Sequence, residues 1–366
     1  MRIHDIISVL EELAPPALQE SYDNSGLLIG DSGLECTGAM LCLDCTEAVI
    51  QEAIQVGCNL VIAHHPLIFG GIKRITGRNY IERTVLLAIR SGVAVYAIHT
   101  NLDNVQAGVN RKLAEKIGLL PNTLRILRPI KSRLLKLSVF CPLEHAAEVR
   151  EAMYNAGAGH IGNYSHCSFN IEGRGSFLPE EGANPSLGKI GQLQWAEETK
   201  VEVLLPDWRL KSVLQAMRQS HPYEEVAHDI CRLENEDQTI GAGMVGDLPE
   251  EMDEGAFLAA LKERMGLMVI RHTPLCEVKV RRVALCGGSG SFLLEDAVRS
   301  GAQVFVTSDL KYHQFFDADK RLVLTDIGHY ESERFTGELL AEELRRKFPT
   351  FALRFTTVNT NPINYC

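Results

Sequence analysis

Histidine and carboxylate residues follow three apolar segments of this chain at spacings typical of metal ligands. Two consecutive imidazoles, His64 and His65, come directly after LVIA, and such a pair is costly to bury unless something binds the ring nitrogens. His329 and Glu333 are four residues apart, so on a helix they would share one face and could bind one metal together. The candidate ligands are His64, His65, His99, Asp103, His329 and Glu333.

Each of these residues also has an ordinary structural explanation. A single histidine at a strand end is usually just a hydrogen-bonded polar group, and an i, i+4 His–Glu pair is often a surface salt bridge. Asp103 alone could be the N-cap of a helix over 104–117. The combination favours a binding site, because α/β sheets place ligands at the carboxyl ends of parallel strands and three such ends carry these residues.

The ligand types limit the metal chemistry. These six imidazole and carboxylate donors exceed what one tetrahedral site needs. They suit two metals about 3.5–4 Å apart that share a bridging carboxylate, an arrangement that activates water for hydrolysis. No cysteine belongs to the set, which disfavours a structural thiolate zinc site. Zinc, manganese, iron, cobalt and nickel all stay open, because these ligands do not separate them.

An internal repeat predicts the elements that position these residues. LCLDCTEAVIQEAIQVGCNLVIAHH (41–65) aligns without gaps on LCGGSGSFLLEDAVRSGAQVFVTSD (285–309), at an offset of 244 residues. Each copy has the pattern of an apolar strand, an amphipathic helix ended by glycine and a second apolar strand, which is a right-handed βαβ unit. A third strand follows in each half, at 93–99 and 321–327. We therefore expect an α/β protein with two related lobes.

The repeat also compares the two lobes at the candidate site. Ser308 and Asp309 stand where the first copy has His64 and His65, so one shared site is favoured over two symmetric ones. In TSDLKYH, Asp309 could support a ligand and His313 could act as a general acid or base. The structural alternative is that Ser308 or Asp309 caps a helix and that His313 is merely packed.

The segment between the lobes has a different order. Predicted strands and helices alternate as β-α-β-β-α-β, the split βαβ or ferredoxin-like arrangement. A charged and proline-containing stretch on one side and ENEDQ on the other mark its ends. The predicted domains are a first lobe over 1–127, an inserted α+β domain over 128–236 and a second lobe over 237–366.

Three further motifs are weaker. Cys42 and Cys45 form a single C-x-x-C and are better explained as apolar residues near a buried strand than as a metal or redox pair. GGSGS (287–291) precedes a predicted helix and could bind phosphate, but it lacks the P-loop lysine and the G-x-G-x-x-G spacing. HPYEE (221–225) lies in the insert beside an X-Pro turn, where a structural role is favoured.

Composition excludes several classes of protein. The chain has 37 Lys and Arg against 47 Asp and Glu, a formal charge of −10 that argues against non-specific nucleic-acid binding. No stretch approaches the ~18 apolar residues that span a bilayer, so no membrane partner is expected. The first 16 residues resemble an amphipathic helix stopped by prolines rather than a signal peptide. Without a secretory signal, ten cysteines do not indicate a disulfide framework, and a cytoplasmic location is expected.

The segments IAHHPLIF, IHTNLDNV, TSDLKYHQ and GHYESE resemble those of the GTP cyclohydrolase 1 type 2 homolog family, also called Nif-three-like. The resemblance covers about 1–127 and 237–366. It implies that two divalent metals, zinc being the first choice, are held by His64, His65, Asp103, His329 and Glu333. His99 matches the family's IHTN histidine but is not assigned as a ligand. The insert is similar to the PII/CutA-like domain of longer members, and the resemblance further implies a ring-shaped homohexamer.

The resemblance implies a function that the residues alone do not specify. It suggests hydrolysis of GTP to dihydroneopterin triphosphate and formate, with a nucleotide or related heterocycle as the small-molecule substrate. The sequence has no motif that recognises guanine or triphosphate. The alternative is a non-catalytic metal-binding or regulatory protein whose insert senses a partner or small molecule.

Overall fold

The computed structural model describes residues 1–131 and 133–366, which form eleven α-helices and fifteen strands. The first part of the chain contains α1 (Ile3–Leu13), β1 (Gly26–Ile29), β2 (Ala39–Cys42), α2 (Glu47–Gln55), β3 (Leu60–Ala63), α3 (Tyr80–Arg90), β4 (Ala94–Ala97), α4 (Thr100–Asp103), α5 (Val109–Ile117) and β5 (Arg125–Lys131). The middle contains β6 (Leu134–Pro142), α6 (Ala146–Asn155), β7 (Ser168–Phe177), β8 (Gln194–Pro206), α7 (Leu210–Ser220) and β9 (His228–Arg232). The last part contains β10 (Glu236–Asp253), α8 (Glu254–Arg264), β11 (Arg271–His272), β12 (Lys279–Ser289), α9 (Leu294–Arg299), β13 (Val304–Ser308), β14 (Val323–Asp326), α10 (His329–Glu333), α11 (Thr336–Lys347) and β15 (Leu353–Phe355).

The described residues divide into two compact units. The larger unit joins Met1–Pro129 to Gln238–Cys366, and the smaller is Ile130–Asp237. The larger unit contains a five-stranded sheet in the order β1-β4-β3-β2-β15 and a six-stranded sheet in the order β11-β14-β13-β12-β10-β5. The predicted mixed α/β architecture is thereby confirmed.

The repeat corresponds to the same local structure in both sheets. Strands β2, β3 and β4 are parallel neighbours in the first sheet, as are β12, β13 and β14 in the second. The two helices that precede β3 and β13 are followed by Gly57 and Gly301, which both have a φ of +76°. This left-handed conformation suits glycine and ends each helix so that the chain can return to the sheet.

The central strands are apolar along their whole length because both faces of the sheet are covered. In the second sheet, Val304 and Val306 pack into one core while Phe305 packs into another on the opposite face. All four residues of β3 are likewise fully buried. Such strands show no polar alternation, which is typical of parallel strands between helices.

Each sheet also receives an edge strand from the other end of the larger unit. β15, near the end of the chain, pairs in parallel with β2, and β5 lies beside β10 in the second sheet. Sequence order alone assigned β15 to the second lobe and did not anticipate this exchange. Its consequence is that the last residues of the chain run beside the first sheet.

The smaller unit has its own four-stranded antiparallel sheet, in the order β7-β8-β6-β9. Helices α6 and α7 supply Val149, Met153, Val213 and Met217 to a core shared with β6 and β8. With β6, α6, β7, β8, α7 and β9 in chain order, this is the split βαβ arrangement.

Candidate metal centre

The candidate ligands come together within the larger unit, at the carboxyl ends of its parallel strands. His64 and His65 directly follow β3, Asp103 ends the short helix α4 after β4, and α10 begins just after β14. His65 and Glu333 are 268 residues apart in the chain, yet His65 Nε2 lies 2.9 Å from Glu333 Oε2. One site is therefore built by residues from both sheets.

His64 is fully buried and presents one free ring nitrogen to the site. Its Nδ1 donates a hydrogen bond of 2.8 Å to the carbonyl oxygen of Ile98. Burial lowers the pKa of His64, so the ring is neutral and Nε2 carries a lone pair. That Nε2 has no hydrogen-bond partner and lies 3.7 Å from Asp103 Oδ1 and 3.9 Å from Glu333 Oε2.

His65 and His329 are each oriented by a carboxylate behind the ring. His65 Nδ1 donates to Asp44 Oδ1 over 2.7 Å, and His329 Nδ1 donates to Asp309 Oδ2 over 2.7 Å. The two Nε2 atoms face each other at 3.2 Å, and both contact Glu333. This is the support that metal-binding histidines usually receive.

These carboxylates also determine the charge of the two rings. Although burial favours the neutral form, hydrogen bonds to Asp44 and Glu333 raise the pKa of His65 to about 9. In the same way, Asp309 and Glu333 overcome burial and raise the pKa of His329 to about 11. A metal ion bound at the Nε2 atoms would replace the protons held there.

The carboxyl groups of Asp103 and Glu333 have pKa values shifted in opposite directions. Burial and the negative charge of Glu333 together raise the pKa of Asp103 well above its ordinary value. Glu333 is also buried, but hydrogen bonds from the histidines, that of His329 first, hold the pKa of its carboxyl well below the ordinary value. Asp103 Oδ1, like His64 Nε2, is buried without a hydrogen-bond partner.

Gly288, within the GGSGS segment, makes room for the Glu333 carboxylate. A Cβ at this position would lie 2.3 Å from Glu333 Oε1, and the residue has a φ of +60°. The Gly288 amide donates to Ser332 Oγ and its carbonyl oxygen accepts from Ser308 Oγ. This part of the glycine-rich segment therefore contacts the ligand cluster, a role that the sequence did not indicate.

Sequence reasoning also missed Asp23, which orients His99. Asp23 Oδ1 accepts a hydrogen bond of 2.9 Å from His99 Nδ1, and Asp23 also accepts from the amides of Asn24 and Thr100. The rings of His64 and His65 both lie 5.3 Å from that of His99, measured between centroids. His99 thus has a carboxylate behind its ring, as His65 and His329 do. In the sequence, nothing in the SYDNSG segment that contains Asp23 indicates a contact with His99.

The last residues of the chain contact the carboxylates behind the ligands. Thr360 Oγ1 donates to Asp44 Oδ2 over 2.8 Å, so a chain of hydrogen bonds runs from Thr360 through Asp44 to His65. Asn361 Nδ2 donates to Glu331, which lies between the two α10 ligands, over 3.1 Å. This contact follows from the position of β15 and could not be read from local sequence.

The donor atoms fit divalent metal ions. Three groups have ligand atoms within 4.8 Å of one another: His64, His65 and His99; His65, His329 and Glu333; and His64, Asp103 and Glu333. The last two groups share Glu333, as a bridging carboxylate would require. Two ligands about 2 Å from one ion lie about 3–4 Å apart, which is the separation of the unpartnered His64 Nε2 and Asp103 Oδ1.

The structure also shows what the remaining candidates from the sequence contact. Asp309 supports His329, and Ser308 donates to Gly288, so neither caps a helix in the manner considered from sequence. Asp103 does not cap the 104–117 segment either, since Gly108 is the N-cap of α5. His313 is exposed and contacts the rings of Tyr312 and Phe316.

The contacts of the C-x-x-C and HPYEE motifs explain both motifs without a bound metal. Cys42 and Cys45 are buried free thiols, and no cysteine occurs in the metal-binding groups of the part of the chain that the structure describes. In the smaller unit, His221 contacts the carbonyl oxygen of Phe140 over 3.0 Å and accepts from the amide of Tyr223. HPYEE therefore fastens a turn to β6.

Among the described residues, no helix is both long and apolar enough to cross a membrane.

Comparisons with known proteins agree on one family. The family model for Duf34/NIF3 (NGG1p interacting factor 3) matches residues 1–362. A protein of Halalkalibacterium halodurans named GTP cyclohydrolase 1 type 2 homolog is 38% identical over 367 residues, covering 98% of each chain. The crystal structure of a Bacillus cereus protein related to NIF3 superposes with a TM-score of 0.87 at 38% identity, covering 100% of this chain and 99% of the other. A Staphylococcus aureus protein superposes with a TM-score of 0.79 at 30% identity over the same shares. The chain belongs to the Duf34/NIF3 family.

Proposed function

We propose that this protein is a dinuclear-metal hydrolase that acts on a nucleotide or a related heterocycle. The ligands would be His64, His65, Asp103, His329 and Glu333, with two divalent ions per chain and zinc as the first choice. The observation that carries the proposal is the pair of unpartnered buried atoms, His64 Nε2 and Asp103 Oδ1. Burying them without a partner is costly unless a cation occupies the space between them.

Three features of the chain support hydrolysis rather than metal storage. The first is that the site holds only nitrogen and oxygen donors, and the second is that Glu333 belongs to two ligand groups. Bound metal would supply a Lewis acid that lowers the pKa of water and polarises the substrate. The third feature is the exposure of one side of the cluster: the His329 side chain is 34% exposed and that of Asp309 is 47% exposed. Substrate could therefore approach from that side.

The residues of the chain have distinct proposed roles. His64 binds as a neutral ring because Ile98 fixes its Nδ1 proton, whereas Asp44 and Asp309 keep His65 and His329 oriented. Asp309 Oδ2 accepts a hydrogen bond from His329 Nδ1, and its partly exposed side chain could pass a proton between that ring and solvent. His313 is proposed as a general acid or base, and its exposed ring would act from a neighbouring surface segment.

GTP is the first substrate to test. Relatives at 34–38% identity over nearly the whole chain are named GTP cyclohydrolase 1 type 2 homolog. In that reaction water opens the five-membered ring of the purine, and the products are dihydroneopterin triphosphate and formate. We also propose a cytoplasmic location, a homohexameric assembly and a PII/CutA-like character for the insert, which its strand order supports.

A second candidate is a regulatory metal-binding protein without turnover. It is favoured by the smaller unit, which has its own sheet and its own core and whose described residues contribute nothing to the ligand groups. In this case the insert would sense a partner or a small molecule, and the metals would have a structural role.

Two measurements on natively purified, tag-free protein separate the candidates. The first is metal content, for which we expect about two equivalents per chain in the parent and a loss in His64→Ala and Glu333→Ala. The second is formate release from GTP and from other nucleotides, which we expect to disappear in Asp103→Ala. His221→Asn, at a buried histidine of the smaller unit, serves as the control. If the protein binds metal but releases no formate, the second candidate is favoured. If the metal content is the same in the parent, His64→Ala and Glu333→Ala, the proposed site is refuted.

A further inference from the structure

We propose that the loop over 66–79, between β3 and α3, is the substrate-binding face of the metal centre, with Phe69 covering a planar ring and Lys73 and Arg74 contacting an anionic group. The inference rests on the proposed function and concerns how a substrate would be recognised. It assigns a binding role to residues that lie outside the ligand set.

The loop is fixed at both ends, and its first end lies next to the site. Asn24 Nδ2 donates a hydrogen bond of 2.6 Å to the carbonyl oxygen of Ile68, and Asn24 adjoins Asp23, the residue that orients His99. At the other end, the Glu82 carboxylate of α3 accepts from the amides of Thr76 and Arg78 over 2.7 and 3.1 Å. The loop thus has a defined position beside the histidines.

The side chains of the loop divide between the core and solvent. Ile68 and Ile72 pack against the buried core of the first sheet. Phe69, Lys73 and Arg74 are exposed instead. Since the isoleucines hold the backbone against the core, the aromatic ring and the two cations are presented outward.

Phe69 is an exposed aromatic residue in contact with a site histidine. Its side chain is 52% exposed, and its ring lies 5.5 Å from that of His99 at an interplanar angle of 88°. His99 lies in turn against His64 and His65. An aromatic face beside polar ligands suits a planar heterocycle whose reacting atom must reach those ligands, since every such ring can stack.

Two of the loop's three cations, Lys73 and Arg74, lie nearer to Phe69 in sequence than the third, Arg78. Neither Lys73 nor Arg74 forms an ion pair with any residue that the structure describes, although the chain as a whole carries a formal charge of −10. The carboxylates around the histidines would repel an anionic substrate. Unpaired Lys and Arg in the loop whose Phe69 contacts His99 would offset the repulsion and could bind phosphate or carboxylate oxygens.

The test uses two ligands that bind without being turned over. 7-Deazaguanosine supplies the planar ring, and 7-deaza-GTP adds the triphosphate while lacking the nitrogen of the five-membered ring that hydrolysis would release. Dissociation constants are measured by calorimetry on the natively purified protein. We expect Phe69→Ala to weaken both ligands about 5- to 150-fold, as for loss of one stacking contact, and Phe69→Tyr to restore binding.

The cations are tested with the same pair of ligands. Lys73→Ala combined with Arg74→Ala should weaken 7-deaza-GTP at least about tenfold and leave 7-deazaguanosine unchanged. Phe169→Ala, at an exposed phenylalanine of the smaller unit, and Arg90→Ala, at an exposed residue of α3, are the matched controls.

The outcomes separate this inference from the proposed function. If the parent binds 7-deaza-GTP and the loop variants bind it equally well, the inference is wrong while the hydrolase proposal stands. If the parent binds neither ligand, the inference is also wrong, and the hydrolase proposal is then decided by metal content and by turnover of other substrates.

Discussion

Asp44 offers the most direct way to test how the metal centre is built. Among the candidate ligands it is hydrogen-bonded only to His65, whose Nδ1 donates to Asp44 Oδ1 over 2.7 Å. The other carboxylate oxygen accepts a hydrogen bond of 2.8 Å from Thr360. Asp44→Asn keeps the shape of the side chain but removes its charge. The ring of His65 would then be a weaker ligand and less firmly oriented.

The expected size follows from these contacts. Loss of a carboxylate behind a metal-binding histidine typically lowers metal affinity about 10- to 100-fold, or about 1.4–2.7 kcal/mol. Thr360→Val removes only the hydroxyl that supports Asp44. Because Asp44 is one-third exposed, water can replace that hydroxyl, and we expect an effect of tenfold or less. Thr360→Ser should behave as the parent.

The assay resolves the two metal equivalents by competition with a chromophoric chelator. His65 belongs to the group with His329 and Glu333, whereas His64 and Asp103 belong to the other group that contains Glu333. Asp44→Asn should therefore weaken one equivalent and leave the other nearly unchanged. Equal weakening of both equivalents, or none, would refute the assignment of His65 to a single ion.

Other substitutions test the fold and the charge of the larger unit. Gly288→Ala should lose metal, because its Cβ would lie 2.3 Å from Glu333 Oε1; Gly301→Ala, with φ +76° and no atom within 4 Å, should keep it. Phe305→Ala should lower the free energy of unfolding by about 3–5 kcal/mol in urea titrations, whereas exposed Phe292→Ala should change it by less than about 0.5 kcal/mol. The hydrogen bond from Arg282 lowers the pKa of Asp247, so this contact stabilises the fold above about pH 4 and is lost as the pH falls further. Asp247→Asn should accordingly flatten the loss of thermal stability between about pH 4 and pH 2, and an unchanged profile would contradict that role.

The fold could be predicted from sequence where local patterns decide it. Runs such as LVIA and VFVT identified buried parallel strands, and the repeat at 41–65 and 285–309 identified two related βαβ units. The edge strands could not be predicted in this way. The three residues of β15 pair with β2 more than 300 residues away, and nothing in a short segment specifies so distant a partner.

The ligand set and its supports differ in how far the sequence indicates them. Histidines and carboxylates at strand ends are conspicuous because polar residues interrupt apolar runs, so His64, His65 and Asp103 stand out. Asp23, Asp44 and Thr360 act through hydrogen bonds to other residues, and only the fold brings them into contact. Gly288 and Glu333 were each visible in the sequence, but the close approach of one to the other was not.

The asymmetry of the centre follows from the repeat itself. In both lobes a short helix comes soon after the third strand: α4 follows β4, and α10 follows β14. A pair of polar residues stands at the carboxyl end of the second strand of each unit, His64 and His65 in one lobe and Ser308 and Asp309 in the other. The first pair supplies two imidazoles to the cluster, whereas Asp309 instead orients His329 from the adjacent helix. Two copies of one backbone arrangement thus carry complementary residues, so neither lobe holds the complete ligand set, and each depends on the other for its binding site.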